Sequence, residues 1–570
     1  MFEFFKKHKI LIVAIILIIV GFSLYANSFN NALFWDDDDS IVRNTYVHDL
    51  KYFPKYFTQN LIAGSGQVSN YWRPLLLTSF AIDYQLYGLN PVGFHVVNTL
   101  LHIFSALLAF ILLLKLTRKN FWLSFLPSLL FLIHPLQTEA VTYVAGRADP
   151  MSTLLSLACL IFYVSFRQKK KIKFIFYSLG FFLLGLLTKE QVIFLPFLVA
   201  LIELVFFFKK ADWKRVFKIL FPFFVISIVY FILRITVLDF NNILSGIDYE
   251  VGYSANLWVR LLTFSLVMMK YFGLLFAPLN LHMAYDISPV QNFFSWPVLS
   301  FSVIVVLIVM ICKKFWNKNK LIPFGFLWFF IMLLPRTNII QINRPMYEHW
   351  LYLPMLGFWL AIIALIIHLF KHNKLVIKQI FVIFIIFCIW LAALTINRNK
   401  DWDNPITFYE DNLQYTPESF IQRNNLGMAY GNAGRHEEAI DEYQRAIAIK
   451  DVYPQVHYNL ANSLVGIGHI AEAKKEYLAS LKISPTFVIP YQNLIAIYAT
   501  ENNLEAIDKL LVEMSLNVER ETFLDIAAVS YFNLGNKQQA LEYWQELSKL
   551  QPDNLQLRSL VLSLLLELSK

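Results

Sequence analysis

The sequence is short of charged residues. Of 570 residues only 16% are Asp, Glu, Lys or Arg, whereas 57% are hydrophobic and 53 are Phe. A soluble domain has about 25% charged and about 45–50% apolar residues. The scarcity of charge therefore excludes a single soluble enzyme and a disordered chain. The composition is typical of a protein that is largely embedded in a membrane.

Cysteine is almost absent as well. The three residues, Cys159, Cys312 and Cys388, all lie in or at the ends of apolar segments. Three scattered cysteines exclude the disulfide framework of a small secreted module and a CxxC metal site. They do not determine the cellular compartment.

Acidic residues are scarce in residues 1–400, and basic residues are scarce in residues 401–570. Residues 401–570 carry 13 basic and 23 acidic side chains, whereas residues 1–400 carry 36 basic and 17 acidic ones. The net charges are therefore −10 and +19. The basic excess lies between apolar runs, which argues against nucleic-acid binding and for a chain surrounded by membrane lipids. We expect the two parts to occupy different environments.

Eleven segments are apolar over about the 20 residues that a helix needs to cross a bilayer. The first follows Lys6, Lys7 and Lys9, and we interpret it as an uncleaved span because its apolar run is long for a signal peptide. The segments are 10–27, 92–114, 121–135, 150–166, 174–189, 191–208, 216–238, 296–312, 321–335, 350–370 and 379–397.

A twelfth apolar segment, 257–279, contains Arg260 and Lys270, each of which is costly in the centre of a bilayer. We predict that this segment lies along the outer interface. With eleven spans, 23 basic residues but only three acids fall in or beside the inside connections, as the positive-inside rule requires. The long first loop, 28–91, and everything after residue 397 are then non-cytoplasmic. The inside connections are 1–9, 115–120, 167–173, 209–215, 313–320 and 371–378.

The C-terminal part has an internal period of 34 residues. Leu426-Gly427, Tyr430, Gly434, Ala439 and Tyr443 recur as Leu460-Ala461, Leu464, Gly468, Ala473 and Tyr477. Small residues where paired helices touch and large residues between them are typical of tetratricopeptide repeats. The sequence thus predicts an all-α protein: a polytopic membrane bundle over 1–397, a linker over 398–415, and a repeat solenoid with a capping helix over 416–570.

The first outside loop contains four successive carboxylates, Asp36 to Asp39. Such carboxylates repel one another, so at least one pKa should be raised unless a cation lies beside them. One interpretation is a solvated acidic turn or a topology signal. The other is a general base or a metal ligand at the membrane face.

Other ionisable residues also cluster at the predicted outer ends of spans. Lys189-Glu190 lies between two spans and can be interpreted as an interfacial ion pair of little energetic value. Acids and bases gathered on one face of an apolar bundle suit an anionic lipid headgroup beside a carboxylate that activates a nucleophile. The residues of this set are Asp36, Asp37, Arg73, Glu139, Arg147, Asp149, Lys189, Arg344 and Glu348.

Ordered motifs along the chain resemble one known family. They begin with Trp35-Asp36-Asp37 and Trp72-Arg73-Pro74-Leu75 in the first loop and with Phe94-His95 after it. The later motifs are His134-Pro135, Glu139-Ala140-Val141, Gly146-Arg147-Ala148-Asp149, Lys189-Glu190-Gln191, Thr337-Asn338 and Glu348 before Leu351-Tyr352-Leu353-Pro354. Together with the repeats, the series resembles the transmembrane and tetratricopeptide-repeat O-mannosyltransferases over essentially the whole chain.

This resemblance implies a GT-C glycosyltransferase, a multi-span enzyme that uses lipid-phosphate-linked sugars on the non-cytoplasmic side. It implies inverting transfer of a sugar, with mannose expected, from a polyprenyl-phosphate donor to a Ser or Thr hydroxyl of a protein. By position, Asp36 or Asp37 is the expected general base, with Glu139 and Asp149 as further catalytic candidates. The expected contacts to lipid phosphate and sugar are Arg147, Arg73, Lys189, Arg344, His95, His134, Glu190, Glu348 and His349.

The resemblance also implies partners and a location. The donor is a substrate and not a cofactor, but carboxylates without His or Cys spacing could also bind Mg²⁺ or Mn²⁺. The repeats are expected to bind acceptor proteins. The repeats would lie outside a bacterial cytoplasmic membrane, or in the lumen of the endoplasmic reticulum in a eukaryote. The alternatives are a non-catalytic membrane anchor for a repeat scaffold and a lipid-linked sugar transferase with a glycan or lipid acceptor.

Overall fold

The computed structural model describes residues 9–208, 213–238, 256–340 and 344–569. About 79% of the described residues are helical, and these residues contain no strand. The predicted all-α fold class is therefore confirmed. The predicted inside connections 1–9 and 209–215 lie mostly outside the described residues.

Two compact units, Met1–Phe408 and Tyr409–Lys570, make up the chain. The boundary falls within the segment that the sequence predicted as a linker, 398–415. That segment is largely helical, because it contains the 3₁₀ turn Asn399–Trp402 and the helix Pro405–Tyr415.

The long helices of the first unit follow the apolar segments of the sequence. Each of the eleven predicted spans overlaps one helix, and Leu257–Phe276 is a further helix. The helices are Lys9–Tyr25, Pro91–Leu116, Phe121–Ile133, Ala148–Lys169, Lys173–Leu186, Leu195–Ile202, Trp213–Ile232, Leu257–Phe276, Trp296–Phe315, Leu321–Leu333, Pro354–Phe370 and Lys374–Arg398.

By length and composition, eight helices of the described segments could cross a membrane, or nine if the bent pair Phe121–Ile133 and Pro135–Val141 forms one span. Three shorter apolar helices are Lys173–Leu186, Leu321–Arg336 and Pro354–Phe370. This supports a multi-pass membrane protein. Leu257–Phe276 is among the eight, so its length and composition alone do not distinguish a span from an interfacial helix.

Two glycines bring the helices Leu321–Leu333 and Pro354–Phe370 close together. A Cβ atom at Gly325 would lie 2.4 Å from the backbone oxygen of Gly357, and one at Gly357 would lie 2.6 Å from Trp328 Cγ. Only a residue without a side chain allows this approach. Arg336, Glu348 and His349 lie in the chain between these two helices.

The segment predicted as the first outside loop, 28–91, is folded and not extended. It contains the short helical segments Asp38–Val42, Thr45–His48, Leu50–Phe57 and Ala63–Ser65, followed by the helix Pro74–Tyr87. Asn44 connects them, because its side chain accepts from the Tyr46 N–H and donates to the Leu61 carbonyl at 3.0 Å. The loop therefore has its own small core and can hold the acidic turn in place.

The second unit consists of paired helices. The first helices are Phe420–Asn432, Pro454–Gly466, Val488–Thr500 and Arg520–Asn533. The second helices are His436–Ile449, Ile470–Ile483, Leu504–Asn517 and Lys537–Leu550, and Leu555–Leu568 follows the last pair. The small residues Ala439, Ala473 and Ala540 are buried between the helices, as the 34-residue pattern predicts.

The turn between paired helices adopts the left-handed conformation at Gly434, Gly468 and Gly535, with φ between 75° and 81°. Glycine meets this requirement without strain. The third pair has Asn502 there, at φ 54°. Asparagine tolerates this conformation better than most residues do, so the degenerate third repeat keeps the same turn.

Candidate active site

The acidic turn of the first loop presents two carboxylates in different surroundings. Asp37 is buried, and its Oδ1 accepts a 2.7 Å hydrogen bond from the backbone N–H of Ala145. Its Oδ2 accepts from the N–H of Phe34 at 3.4 Å. Burial raises the pKa of Asp37 well above its usual value, and the two N–H groups oppose this rise. Asp37 therefore attaches the turn to the segment before Arg147.

Asp36 is exposed, in contrast to its neighbour. The surrounding protein nevertheless displaces water and raises the pKa of Asp36, while the nearby Tyr143 hydroxyl and the charge of Arg73 lower it. Among the described residues, no Lys, Arg or His nitrogen lies within 4.0 Å of its carboxylate, whereas Asp39 is paired with Arg43 at 3.1 Å. Asp36 is thus an accessible carboxylate of raised basicity.

An aromatic stack holds the backbone beside Asp36. Trp35 has a φ of 62°, which is unusual for a bulky residue. Its ring stacks on Tyr143 with the centroids 5.0 Å apart, and Tyr143 stacks on Trp402 at 5.3 Å. Strained residues of this kind persist only where their surroundings determine their conformation, and they are common at functional sites.

Arg147 lies completely buried among polar partners. Its guanidinium is 2.6 Å from Asp83 Oδ2 and donates to Asn98 Oδ1, also at 2.6 Å. It donates further to Ser79 Oγ and to the Phe94 carbonyl. Burial raises the pKa of Asp83, and the charge of Arg147 opposes this rise. The motif arginine thus connects the helices around the turn, and its exposed fraction is zero.

Lys189 and Glu190 are neighbours in the sequence, but they do not pair with each other. Lys189 Nζ lies 2.6 Å from Asp149 Oδ1, whereas Glu190 receives two hydrogen bonds from Arg73, at 2.7 and 3.0 Å. The two pairs join the first loop and the helix Ala148–Lys169 to the same short connection.

Arg336 extends this group. Gln191 donates to Asp149 at 3.1 Å and accepts from Arg336 Nη2 at 2.6 Å. The guanidinium of Arg336 lies over the ring of Trp350 at 4.5 Å, and its Nε is buried without an acceptor. In the described part of the chain, no carboxylate oxygen lies within 4.0 Å of it. Arg336 thus remains able to bind an anion.

Glu139 contacts His349, whereas Glu348, the neighbour of His349 in the chain, contacts other residues. Glu139 is buried and accepts from the backbone N–H of His349 at 2.8 Å, and its other oxygen lies 2.7 Å from His349 Nδ1. Glu348 accepts from Tyr285 at 2.8 Å and lies 3.6 Å from Arg398. Burial raises the pKa of Glu348 to about 8, and the charge of Arg398 opposes this rise.

The remaining predicted site residues are distributed differently. His95 is buried against the Asn31 carbonyl at 3.1 Å, and His134 against the Leu275 carbonyl at 3.1 Å. Both rings therefore make structural contacts with backbone oxygens. Arg344 is half-buried and forms no hydrogen bond or ion pair with the described residues.

The residues of these networks that were not among the predicted site residues include Asp83, Tyr285, Arg336 and Arg398. Asp83 is the one charged residue of the otherwise uncharged helix Pro74–Tyr87, and this isolation was a usable signal. Arg398 ends the last apolar helix, where a basic residue is ordinary. Nothing in the sequence around Tyr285 indicates its contact with Glu348. Within the described ranges, no group of three or more His, Cys, Asp or Glu residues is placed to hold a metal ion.

Comparison with known proteins identifies the repeats. A family model for the TPR repeat matches residues 427–468. Two models for the tetratricopeptide repeat match residues 454–487 and 524–554. The predicted repeat region is therefore confirmed.

Similar proteins match both parts of the chain. A protein O-mannosyl-transferase of Caenorhabditis elegans is 28% identical over 453 residues, which cover 77% of this chain and 63% of that protein. The human protein O-mannosyl-transferase TMTC3 is 24% identical over 560 residues, 87% of this chain and 59% of the relative. Human TMTC1 is 35% identical over 146 residues, 25% of this chain and 16% of the relative.

The chain spans about six-tenths of the length of the first two relatives. The resemblance inferred from the ordered motifs is confirmed, since these relatives bear the name of that activity. The homologues of this chain are protein O-mannosyl-transferases, that is, glycosyltransferases, with tetratricopeptide repeats in their C-terminal region.

Proposed function

We propose that this protein transfers mannose from a polyprenyl-phosphate donor to Ser or Thr hydroxyls of proteins on the non-cytoplasmic side of a membrane. The single observation that carries the proposal is the different environment of two adjacent carboxylates. Asp37 is buried and bonded to the backbone, whereas Asp36 is exposed, unpaired by any described cation within 4.0 Å, and raised in pKa.

Asp36 is the general base of this proposal. An acceptor hydroxyl gives its proton to the Asp36 carboxylate while its oxygen bonds to C1 of the sugar. The bond from C1 to the phosphate oxygen breaks with its electron pair, and polyprenyl phosphate leaves. Attack opposite the leaving group inverts the anomeric carbon. A positioned base of this kind contributes about 10²–10⁴-fold to the rate.

Arg336 and Arg344 are the cations best placed to neutralise the leaving phosphate. Neither is paired with a carboxylate in the described part of the chain, and Arg336 has a buried Nε without an acceptor. Arginine suits phosphate because its planar donors match two oxygens at once. Arg147 is assigned a positioning role instead, because Asp83, Asn98 and Phe94 already occupy its donors.

Electrostatic effects on two tyrosines, Tyr71 and Tyr347, support the grouping of Asp36 with Arg336 and Arg344. Tyr71 is 41% exposed, yet crowding by protein raises the pKa of its hydroxyl. Asp36 and Arg336 lie close enough for their charges to act on that pKa in opposite directions. Burial likewise raises the pKa of Tyr347, the charge of Arg344 lowers it, and the charge of Asp36 raises it further. The charge of Asp36 thus acts on both tyrosines, that of Arg336 on Tyr71 and that of Arg344 on Tyr347.

Contacts of the helix Leu257–Phe276 support its placement along the outer interface. Near its start, Arg260 donates to the Ile339 carbonyl, and near its end the Leu275 carbonyl accepts from His134. Between them, Tyr271 donates to the Tyr347 carbonyl at 2.8 Å. A 20-residue helix is about 30 Å long. Because all three partners lie in or beside predicted outside connections, a course across the bilayer would separate them.

The proposal is tested by reconstituting the full-length chain in vesicles with polyprenyl-phosphate mannose and a Ser/Thr peptide. Mass spectrometry of the peptide should show added hexose, and NMR should show inverted anomeric configuration. The Asp36→Asn variant should retain the fold and lose transfer. If hexose were added only to a glycan or a lipid, the acceptor would be a glycan or a lipid and not a protein. Absence of transfer with intact donor binding would favour a non-catalytic scaffold.

A further inference from the structure

A cavity of about 750 Å³ lies between two neighbouring helices of the first unit, Trp296–Phe315 and Leu321–Leu333. Among the described residues that line it, Lys313 and Asn317 are polar, and the others are hydrophobic. Both polar residues lie at the end of Trp296–Phe315 or just beyond it. Clefts that bind small ligands have volumes of about 300–1,000 Å³, so this cavity has a suitable size. We call it the Lys313 groove.

The Lys313 groove is open to the outside of the helix bundle. Phe326 is buried at its base, Val305 is half-buried, and Val309 at its rim is 46% exposed. Only 11% of the apolar stretch of Trp296–Phe315 is buried in the protein. Acyl chains surround such a helix in a membrane, so an acyl chain can enter the groove from the side.

The length of the groove matches one leaflet of a bilayer. From Phe301 to Lys313 the helix rises by about 18 Å, because each residue adds about 1.5 Å. The hydrocarbon core of a bilayer is about 30 Å thick, so one leaflet contributes about 15 Å. Lys313 begins the predicted inside connection 313–320. A lipid of the inner leaflet would therefore place its headgroup at Lys313 and the end of its chain near Phe301.

The basic end of the groove lies in an acid-free stretch of the chain. The connection 313–320 contains four lysines, and the sequence has no Asp or Glu between Asp286 and Glu348. Glu203 is the one acid of the predicted inside connections and their flanks that falls within the described ranges, and it is buried and paired with Arg167 at 2.9 Å. It is therefore already neutralised by another cation.

The lysines at this end make no ion pair with the described residues. No Asp or Glu oxygen in the described part of the chain lies within 4.0 Å of Lys313, Lys314 or Lys318. Lys313 is exposed, and Asn317 offers two N–H donors. Trp316 is 41% exposed, and tryptophan is enriched at the level of lipid headgroups. This end of the groove thus suits a phosphate group, and the apolar remainder suits a hydrocarbon chain.

We propose that the Lys313 groove binds one anionic phospholipid of the cytoplasmic leaflet, with the headgroup at Lys313 and an acyl chain along the helix toward Phe301. The proposal goes beyond the proposed mannosyl transfer, which concerns the non-cytoplasmic side. Basic pockets between membrane helices on the cytoplasmic side bind anionic headgroups. A zwitterionic lipid has the same chains but no net charge, so the charge of the headgroup should decide binding.

Binding is measured on the full-length protein in detergent, without donor or acceptor. The probes are phosphatidylglycerol and phosphatidylcholine with the same acyl chains, and native mass spectrometry counts the retained lipids. We expect one retained phosphatidylglycerol and no retained phosphatidylcholine.

The cysteines of the chain report where the lipid binds. Cys312 lines the groove, whereas Cys388 lies on the helix Lys374–Arg398. With phosphatidylglycerol at about ten times its Kd, alkylation of Cys312 by N-ethylmaleimide should slow about tenfold, because only the lipid-free protein reacts. Alkylation of Cys388 should be unchanged, and phosphatidylcholine should protect neither cysteine.

Substitution of Lys313 tests the role of charge. Lys313→Gln should weaken the binding of phosphatidylglycerol about fivefold, since one basic residue near a membrane surface contributes about 1 kcal/mol. Lys313→Arg keeps the charge and should bind as the unaltered protein does. The control Lys374→Gln alters an exposed lysine of another predicted inside connection and should also leave binding unchanged.

A tryptophan placed in the groove tests its shape. Val305→Trp fills the cavity and should abolish lipid retention. Val306→Trp is the matched control, because Val306 is exposed on the same helix and does not line the groove. If Val305→Trp does not fold, Val309→Trp at the exposed rim replaces it, with the same expected loss of lipid.

Several results would overturn the proposal. They are equal retention of the two phospholipids, unaltered binding by Lys313→Gln or by Val305→Trp, and equal protection of Cys312 and Cys388. Displacement of phosphatidylglycerol by a lower concentration of polyprenyl phosphate would make the groove a donor site and would also overturn it. None of these measurements depends on mannosyl transfer, so failure of the transfer assay would leave the phospholipid site in place.

Discussion

The carboxylate of Asp37 accepts a 2.7 Å hydrogen bond from the backbone N–H of Ala145, although 108 residues separate them in the chain. This bond fixes the acidic turn of the first loop against the segment that leads into Arg147. Its consequence is that the neighbouring carboxylate, Asp36, remains exposed. One aspartate positions the turn and the other is free to meet a substrate.

Substitution of the two aspartates should have different effects. We expect Asp36→Asn to lower turnover by about 10²–10⁴-fold with an unchanged melting temperature, because it replaces an exposed basic carboxylate by a neutral amide of the same size. Asp37→Asn should lower both turnover and melting temperature, because it alters a buried hydrogen-bonding group that fixes the turn. Turnover and thermal unfolding of the purified variants check both expectations.

Asp38→Asn is the matched control, since this residue lies in the same acidic run without a bond to Ala145. It should retain most of the activity and the full melting temperature. Equal loss in all three variants would mean that the charge of the whole run matters, and the assignment of Asp36 would have to be abandoned.

The acid limb of the pH–rate profile should reflect Asp36. Because desolvation raises the pKa of Asp36, kcat/KM should fall on acidification at a pH above the ordinary aspartate value of about 3.9. The nearby Tyr143 hydroxyl favours the ionised form. Tyr143→Phe should therefore raise that pKa and move the limb to higher pH. Tyr46→Phe, in the same loop as Asp36, serves as the control and should leave the acid limb of the profile unchanged.

Substitution of Arg336 should weaken donor binding, whereas substitution of Arg147 should lower the stability of the protein. Arg336→Ala should raise the KM for the lipid-linked donor, because it removes a cation that has no described carboxylate within 4.0 Å. Arg147→Ala should instead destabilise the protein by about 3–5 kcal/mol, because it leaves Asp83 buried without its partner. Donor titrations and thermal unfolding distinguish the effects. If the Arg147→Ala protein were stable and only its KM for the donor were raised, the phosphate contact would have to be assigned to Arg147.

Membrane sidedness has direct tests. A reporter fused after Lys400 should be non-cytoplasmic, and one within 313–320 should be cytoplasmic, because the inside connections hold most of the basic residues. Single cysteines at Asn256 and Leu279, at the two ends of the helix Leu257–Phe276, should both react with an impermeant reagent added outside. Reaction from opposite sides would make that helix a twelfth span.

Much of the fold could be read from local sequence. The apolar runs located the helices of the bundle, and the recurrence of Leu426, Tyr430 and Ala439 located the repeats. Both signals are short-range, because a helix buries residues that are three or four positions apart. The charged pairs could not be obtained in this way. Lys189 and Glu190 are adjacent in the chain, yet they bind Asp149 and Arg73.

The sequence by itself determined the class of the protein. Scarce charge, apolar runs of spanning length and a 34-residue period require an α-helical membrane bundle with a repeat array, because water and lipid select for these patterns locally. Only the tertiary structure decided which ionisable residues neutralise one another and which remain available. The burial of Arg147 against Asp83 and the exposure of Asp36 beside Asp37 depend on contacts between distant segments. A linear pattern does not encode such distances.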